Sequence, residues 1–397
     1  MRRAAFVAGA AAGSLAGLAA SGAAVGATVT LPFTNGERQL AAFPQKRPLI
    51  LLTTRPPQLE TPMAIFDRGE FTPNDAFFVR WHLAGVPETV DGKAFRMRVH
   101  GNVNRELSLS VDELRKFEPV EIAAVCQCSG NSRGLFDPRV AGGQWGNGAM
   151  GNARWRGARL ADVLKRAGIK PGSVQVRFNG LETPVLPTTP DFMKSLNMDV
   201  ATAPDVIVAY EMNGGNLPLL NGFPVRLIVP GYFATYWVKM LDDVEVLTAP
   251  DENFWMKTAY RIPAVDDGCI KPGEKTPTVP ISRMRVRSFV TNLADNAKLT
   301  AGTQTVRGIA FDGGSGIARV DLSTDGGATW QPSQLGTNYG KYSFRRWETT
   351  FAAKAGQSYT LAVRAAANDG AVQPPTACWT PSGYLRNIIE HVSVSVA

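Results

Sequence analysis

Histidine is almost missing from this chain of 397 residues, occurring only as His82, His100 and His391. No C-x-x-C-H run is present, so the sequence offers neither a covalent haem attachment nor a paired-histidine haem domain. No G-x-G-x-x-G loop follows a strand-like run, which removes the dinucleotide-binding reading. Cysteine is scarce too. Four are too few for a disulfide scaffold, and Cys126 and Cys128 sit too close to bridge each other comfortably. Lys and Arg outnumber Asp and Glu by 42 to 34, yet they are scattered and form no nucleic-acid stripe. Tandem repeats, and any apolar run of spanning length beyond the N-terminal segment, are also lacking.

That N-terminal segment is informative. Met1-Arg2-Arg3 precedes an Ala/Gly-rich run from Ala4 to about Ala24, and Val25-Gly26-Ala27 offers a small-residue cleavage site. Paired arginines ahead of a weakly apolar run suggest a twin-arginine export signal over 1–27, which would deliver a folded, cofactor-loaded protein to the periplasm. Ala and Gly partition poorly into lipid, so an anchor helix is the lesser reading, and no membrane attachment is expected after signal removal.

The rest is organised around Cys126-Gln127-Cys128-Ser129-Gly130-Asn131-Ser132-Arg133. A thiolate suits a soft or borderline metal. Ser-Gly-Asn lets the backbone bend tightly, and Arg133 can hold an anion beside whatever the sulfur holds. Around it, residues 28–73 read as an irregular wrapping segment. In Asp75–His82, Arg80 and His82 share a strand face. Ser110-Val-Asp-Glu113 is a capping box that opens a short helix through Phe117. Val120–Val125 is a buried strand delivering the two cysteines. Leu160, Val163, Leu164 and Ala167 recur at helical spacing with Gly168 as terminator. Short helices and strands without regular alternation point to α+β. Prolines between Cys269 and Pro280 mark a linker. Beyond it, strand signals and the Asp325-Gly326-Gly327 turn suggest an immunoglobulin-like sandwich over 276–397, after a first domain over 28–275.

Cys128-Ser-Gly-Asn-Ser-Arg133 resembles the C-x-G-N-x-R signature of the sulfite oxidase family of molybdenum enzymes. Phe78-Val-Arg80-Trp-His82 is similar to that family's F-V-R-x-H element. Gly143–Leu160, Tyr210–Gly214 and Gly222–Gly231 with Val238-Lys239 resemble further family blocks. Val320–Trp330 resembles its dimerisation domain, so the likeness covers nearly all of the mature chain in order. The resemblance implies that Cys128 is the protein's thiolate ligand to molybdenum, with the remaining sulfurs supplied by molybdopterin. It implies that Arg80, Arg133, Trp145 and Tyr260 line an oxyanion pocket, which Arg345 of Phe344-Arg-Arg-Trp347 also reaches. Phe78, His82, Cys128, Arg133, Asn221, Arg226 and Lys239 are the implied cofactor contacts. Tyr236-Trp237 and Asn221 depart from the family, standing where many relatives carry Arg-His and His.

The residue types suit the implied chemistry. Converging guanidiniums concentrate a small anion such as sulfite, while the cofactor performs the redox step. With no haem in this sequence, two electrons would leave singly to a cytochrome c or a separate haem c subunit, making the protein a sulfite dehydrogenase. The C-terminal domain would pair two copies or dock that subunit. Arg226 within an apolar run also admits a carboxylate partner and no ligand at all. The rival readings are a reductase of nitrate or a sulfoxide, and a non-enzymatic periplasmic binding module.

Overall fold

The computed structural model of the protein describes residues 27–397. Apart from Ala27, the expected export signal lies outside the described residues. Among the described residues no helix is long and apolar enough to cross a membrane.

Strands dominate. The longest α-helix among the described residues, Leu160–Ala167, has eight residues and buries the four apolar positions that its spacing marks. Gly168 ends it in the left-handed region. The capping box at Ser110 and Glu113 forms with both reciprocal bonds, although its helix stops at Leu114. The α+β expectation is therefore met by few and short helices. The segment 28–73 departs most from its reading. Thr28–Thr30, Glu37–Ala41, Leu49–Thr53 and Gln58–Glu60 join Val79–Arg80 in a five-stranded sheet. Its prolines sit between strands that are too short to show a clear alternation.

Two further sheets build the first domain. One orders Arg226–Ile228, Ile207–Met212, Met150–Arg159 and Pro119–Gln127. Its last strand delivers Cys128 just beyond its end. The other orders Met193–Asn197, Gln175–Gly180, Leu241–Leu247, Met97–Gly101 and Leu107–Leu109. After the pairing of Arg261–Pro263 with Thr278–Pro280, the C-terminal part forms a four-stranded and a five-stranded sheet. Between them lies an apolar core that includes Val306, Val320, Trp347 and Leu361.

The two parts share more than a linker. The main core runs from Trp155 and Val208 in the first domain to Phe289, Phe311 and Phe344 in the second. Arg307 pairs with Asp67 at 2.8 Å, and Val125 N–H donates to the Tyr342 carbonyl at 2.9 Å. A disulfide joins Cys269 to Cys378 across 109 positions of sequence. Nothing in the cysteine spacing announces it.

Candidate active site

The loop after strand Pro119–Gln127 is built by its own backbone. Cys128 N–H donates to Ala149 O at 2.9 Å, Asn131 N–H to Cys128 O at 3.0 Å, and Arg133 N–H to Gly130 O at 3.0 Å. The Asn131 carboxamide accepts from Ala149 N–H at 2.9 Å and donates to Asn147 O at 3.1 Å. The chain bends back so sharply that a Cβ at residue 130 would lie 2.6 Å from a guanidinium nitrogen of Arg133. A larger residue there would push that guanidinium aside. Opposite the loop, the buried Glu60 carboxylate accepts from Gly146 N–H and Gly148 N–H, each at 2.8 Å. Burial pushes its pKa up to about 7, against the lowering effect of the two N–H donors.

Two adjoining cavities meet at Cys128, Arg80 and Tyr260. The inner one is lined by Phe78, His82, Asn221, Arg226 and Lys239 as well, and so gathers every expected cofactor contact except Arg133, which lines only the outer one. The outer one, about 350 Å³, adds Arg133, Trp145, Gln58, Trp255, Ser382 and Tyr384. Arg345 is brought to neither. Strand alternation puts it on the same side as Trp347, which is packed in the second domain's own core. Its Nε and Nη1 are buried there without a partner, while Arg346 turns out to Asp67. The second domain reaches the site through Ser382 and Tyr384 instead.

Arg226 and Lys239 face each other across an isolated bridge between their backbones. Arg226 is 4% exposed. It donates to Trp237 O and Asn221 O, each at 3.2 Å, and to the Cys126 sulfur at 3.4 Å. No carboxylate pairs with it among the described residues, so the alternative of a carboxylate partner falls. Cys126, the second sulfur of the loop, is a buried acceptor for that guanidinium. Burial pushes the Lys239 amine down to about 8, with Glu182 opposing and Arg226 and Arg80 adding to the shift. Asn221 is clamped by Lys46, which also donates to Asn74 O at 2.6 Å and Phe77 O at 3.0 Å. Burial lowers the Lys46 amine to about 7.

His82 and Tyr260 form a unit, with His82 Nε2 and the Tyr260 hydroxyl 2.7 Å apart. His82 Nδ1 faces the Glu182 carboxylate at 3.5 Å, and that carboxylate also accepts the backbone N–H groups of His82 and Leu83 at 2.9 Å. Burial, then Arg80, Lys239 and Lys194, hold the imidazole pKa well below its ordinary value, so the ring is neutral at pH 7. His82 thus positions Tyr260 and stacks on Phe192 at 3.4 Å between ring centres. Arg133 donates from Nε to Ser382 O at 3.0 Å and from Nη1 to Gly143 O at 3.2 Å.

This donor set fits a phosphate-bearing, metal-holding cofactor. Arg80 Nη1, Ser129 Oγ and Thr235 Oγ1 are buried with no protein partner, and all three residues line the inner cavity. Three cations line it without one carboxylate, beside a free cysteine. Buried donors and charges left in this state require an anionic ligand. Sequence reasoning missed Glu60, Glu182, Lys46 and Tyr384. None belongs to a contiguous motif, since each arrives from a separate part of the chain.

Comparison with known proteins agrees with this arrangement. Residues 82–255 match the oxidoreductase molybdopterin binding domain, and residues 278–397 match the Mo-co oxidoreductase dimerisation domain. Mitochondrial sulfite oxidase of Homo sapiens is 35% identical over 372 residues, covering 89% of this chain and 67% of that one. Sulfite oxidase of Gallus gallus is 35% identical over 367 residues, covering 88% and 78%. The sulfane dehydrogenase SoxCD of Paracoccus pantotrophus shares the fold, with a TM-score of 0.74, 24% identity, and 86% and 85% of the two chains covered.

Proposed function

The chain belongs to the sulfite oxidase family of molybdenum–molybdopterin oxidoreductases, and on that premise we propose that it oxidises sulfite to sulfate in the periplasm and passes the two electrons singly to a cytochrome c or a separate haem c subunit. When bound, the molybdenum–pterin centre supplies oxygen-atom transfer and takes up the two electrons. The chain's own groups do the rest. Cys128 would hold the metal through its sulfur. Arg226, Lys239, Ser129 and Thr235 would hold the pterin and its phosphate. Arg80 and Arg133 draw in and orient the dianion. Tyr260, fixed by His82, presents its oxygen at the junction of the two cavities. Trp145, 1% exposed, walls the outer cavity.

The observation that carries this reading is the group of buried cations without carboxylate partners, converging on a free cysteine at the meeting point of two cavities. The paired arginines at the N-terminus and the Cys269–Cys378 disulfide support an oxidising, exported setting. The surplus of 42 basic over 34 acidic side chains would steer an acidic haem partner, so the rate with that partner should fall as salt rises. The domain matched at 278–397 supports a homodimer.

The test is steady-state kinetics on protein from a molybdenum-replete host. Sulfite-dependent reduction of ferricytochrome c is expected, and nitrate-dependent oxidation of reduced viologen is not. The opposite pattern would refute the reading. Arg80→Gln should raise KM for sulfite about tenfold with kcat little changed, since a charge-assisted bond is lost from ground and transition states alike.

A further inference from the structure

The outer cavity has a wall that the first domain does not supply. Within Thr380–Leu385, Tyr384 N–H donates to Thr380 Oγ1 at 2.9 Å, and Gly383 N–H to Thr380 O at 3.0 Å. Gly383 has φ of +62°, and a Cβ there would lie 2.7 Å from Arg133 Cγ. The turn is thus pressed onto Arg133 and aims the next side chain at the site. The Tyr384 ring lies parallel to that of Tyr260, with 5.8 Å between centres and 4° between planes. The Arg133 guanidinium carbon sits 5.2 Å from its centroid.

Its hydroxyl differs from those of three other tyrosines, although buried Tyr210 also lacks a hydroxyl partner among the described residues. Tyr260 is bonded to His82, Tyr236 to Ile281 O, and Tyr342 to Asp205. Among the described residues the Tyr384 hydroxyl has only the Arg133 guanidinium beside it, a donor that leaves the hydroxyl's own proton without an acceptor, although the residue is only 8% exposed and lines the cavity with Arg80, Cys128, Arg133 and Tyr260. A buried hydroxyl in that state finds its partner in solvent or ligand. A tyrosine is protonated at neutral pH and can donate.

We propose that Tyr384 is a substrate-binding residue contributed by the second domain, its hydroxyl donating to an oxygen of the oxyanion held between Arg80 and Arg133. Its ring also fixes the plane of the Arg133 guanidinium. This rests on the oxyanion reading of the outer cavity. It deepens that reading, because the bond selects compact anions with an oxygen facing the tyrosine.

The experiment uses the holoenzyme and its Tyr384→Phe variant, which keeps the ring and the stacking. Sulfate binding, read by titration calorimetry, should weaken about tenfold in the variant, as befits loss of a hydrogen bond to a charged group. KM for sulfite should rise by a similar factor while kcat holds, a split that a general loosening of the fold would not give. Equal sulfate affinity in the two proteins would overturn the proposal, and so would a wild-type protein that binds no sulfate. If wild-type protein binds sulfate but does not oxidise sulfite, the proposed function fails, and the ratio of sulfate affinities alone decides the role of Tyr384.

Discussion

Arg226 and Arg287 are both sunk in the interior, at 4% and 1% exposure, and their surroundings differ in kind. Arg287, in the second domain, pairs with Glu390 at 2.9 Å and donates to Ser132 Oγ at 3.0 Å. The pair braces the Cys128–Arg133 loop from behind. Arg226, in the first domain, has only two carbonyls and a sulfur. A buried charge with a counter-charge is architecture, whereas one without that also lines a cavity is placed to take an anion from outside. The same contrast holds between regions. In the second domain Arg307, Arg346 and Arg364 face Asp67 or Asp321, with Arg345, two of whose nitrogens are buried without a partner, as the exception. Those of the inner cavity, Arg80, Arg226 and Lys239, form no ion pair among the described residues, Glu182 acting on Arg80 and Lys239 only from beyond contact distance.

The contrast can be broken most forcefully at the sulfurs. Cys128→Ser should abolish turnover while leaving the thermal unfolding curve in place, because serine is near-isosteric. Cys126→Ser should keep turnover, since that sulfur only accepts from Arg226. Persistent turnover in the Cys128 variant would move the metal ligand elsewhere. Next in size is the pair of guanidiniums. Glu390→Ala leaves Arg287 buried and uncompensated and should cost about 3–5 kcal/mol in a denaturant titration. Arg226→Met in cofactor-free protein removes a charge that has no partner, so stability should change little, while pterin retention measured by fluorescence after denaturation should fall. Equal stability losses in both would erase the distinction. Replacing Cys269 and Cys378 together by serine should cost about 2–4 kcal/mol, because the closed loop is long. It should also free the segment that carries Ser382.

The smallest effect concerns Glu60. Its native pKa stands near 7, above the ordinary 4.5, so the folded state holds its proton more tightly than the unfolded state between those values. Stability must then fall as pH rises from about 4.5 to about 7, and Glu60→Gln should flatten that slope in melts across the window.

What could be read in advance follows from how each residue arrives. Cys128, Gly130 and Arg133 lie within a few positions of one another, so their joint chemistry was legible as a turn with a ligand and a charge. Phe78, Arg80 and His82 were legible for the same reason. The strands after the linker showed themselves by alternation and by the Asp325-Gly326-Gly327 turn. Glu60 and Glu182 were not legible, because a carboxylate that holds backbone N–H groups leaves no trace in spacing. Arg345 misled through a neighbouring aromatic. Strand alternation turns it into the second domain's interior, and that domain reaches the pocket instead through the turn that contains Pro381, which carries no periodic signal. The first strands escaped notice because each is only three to five residues long.

The carbonyl of Ser382 holding Arg133 has a practical corollary for protein engineering. The C-terminal part matches a domain described by its role in dimerisation, yet it also touches Arg133 of the Cys128 loop. A chimera that grafted a relative's tail onto this chain after Pro280 would exchange more than a contact between subunits. It would install a different ceiling over the substrate and change selectivity without altering one residue of the catalytic half.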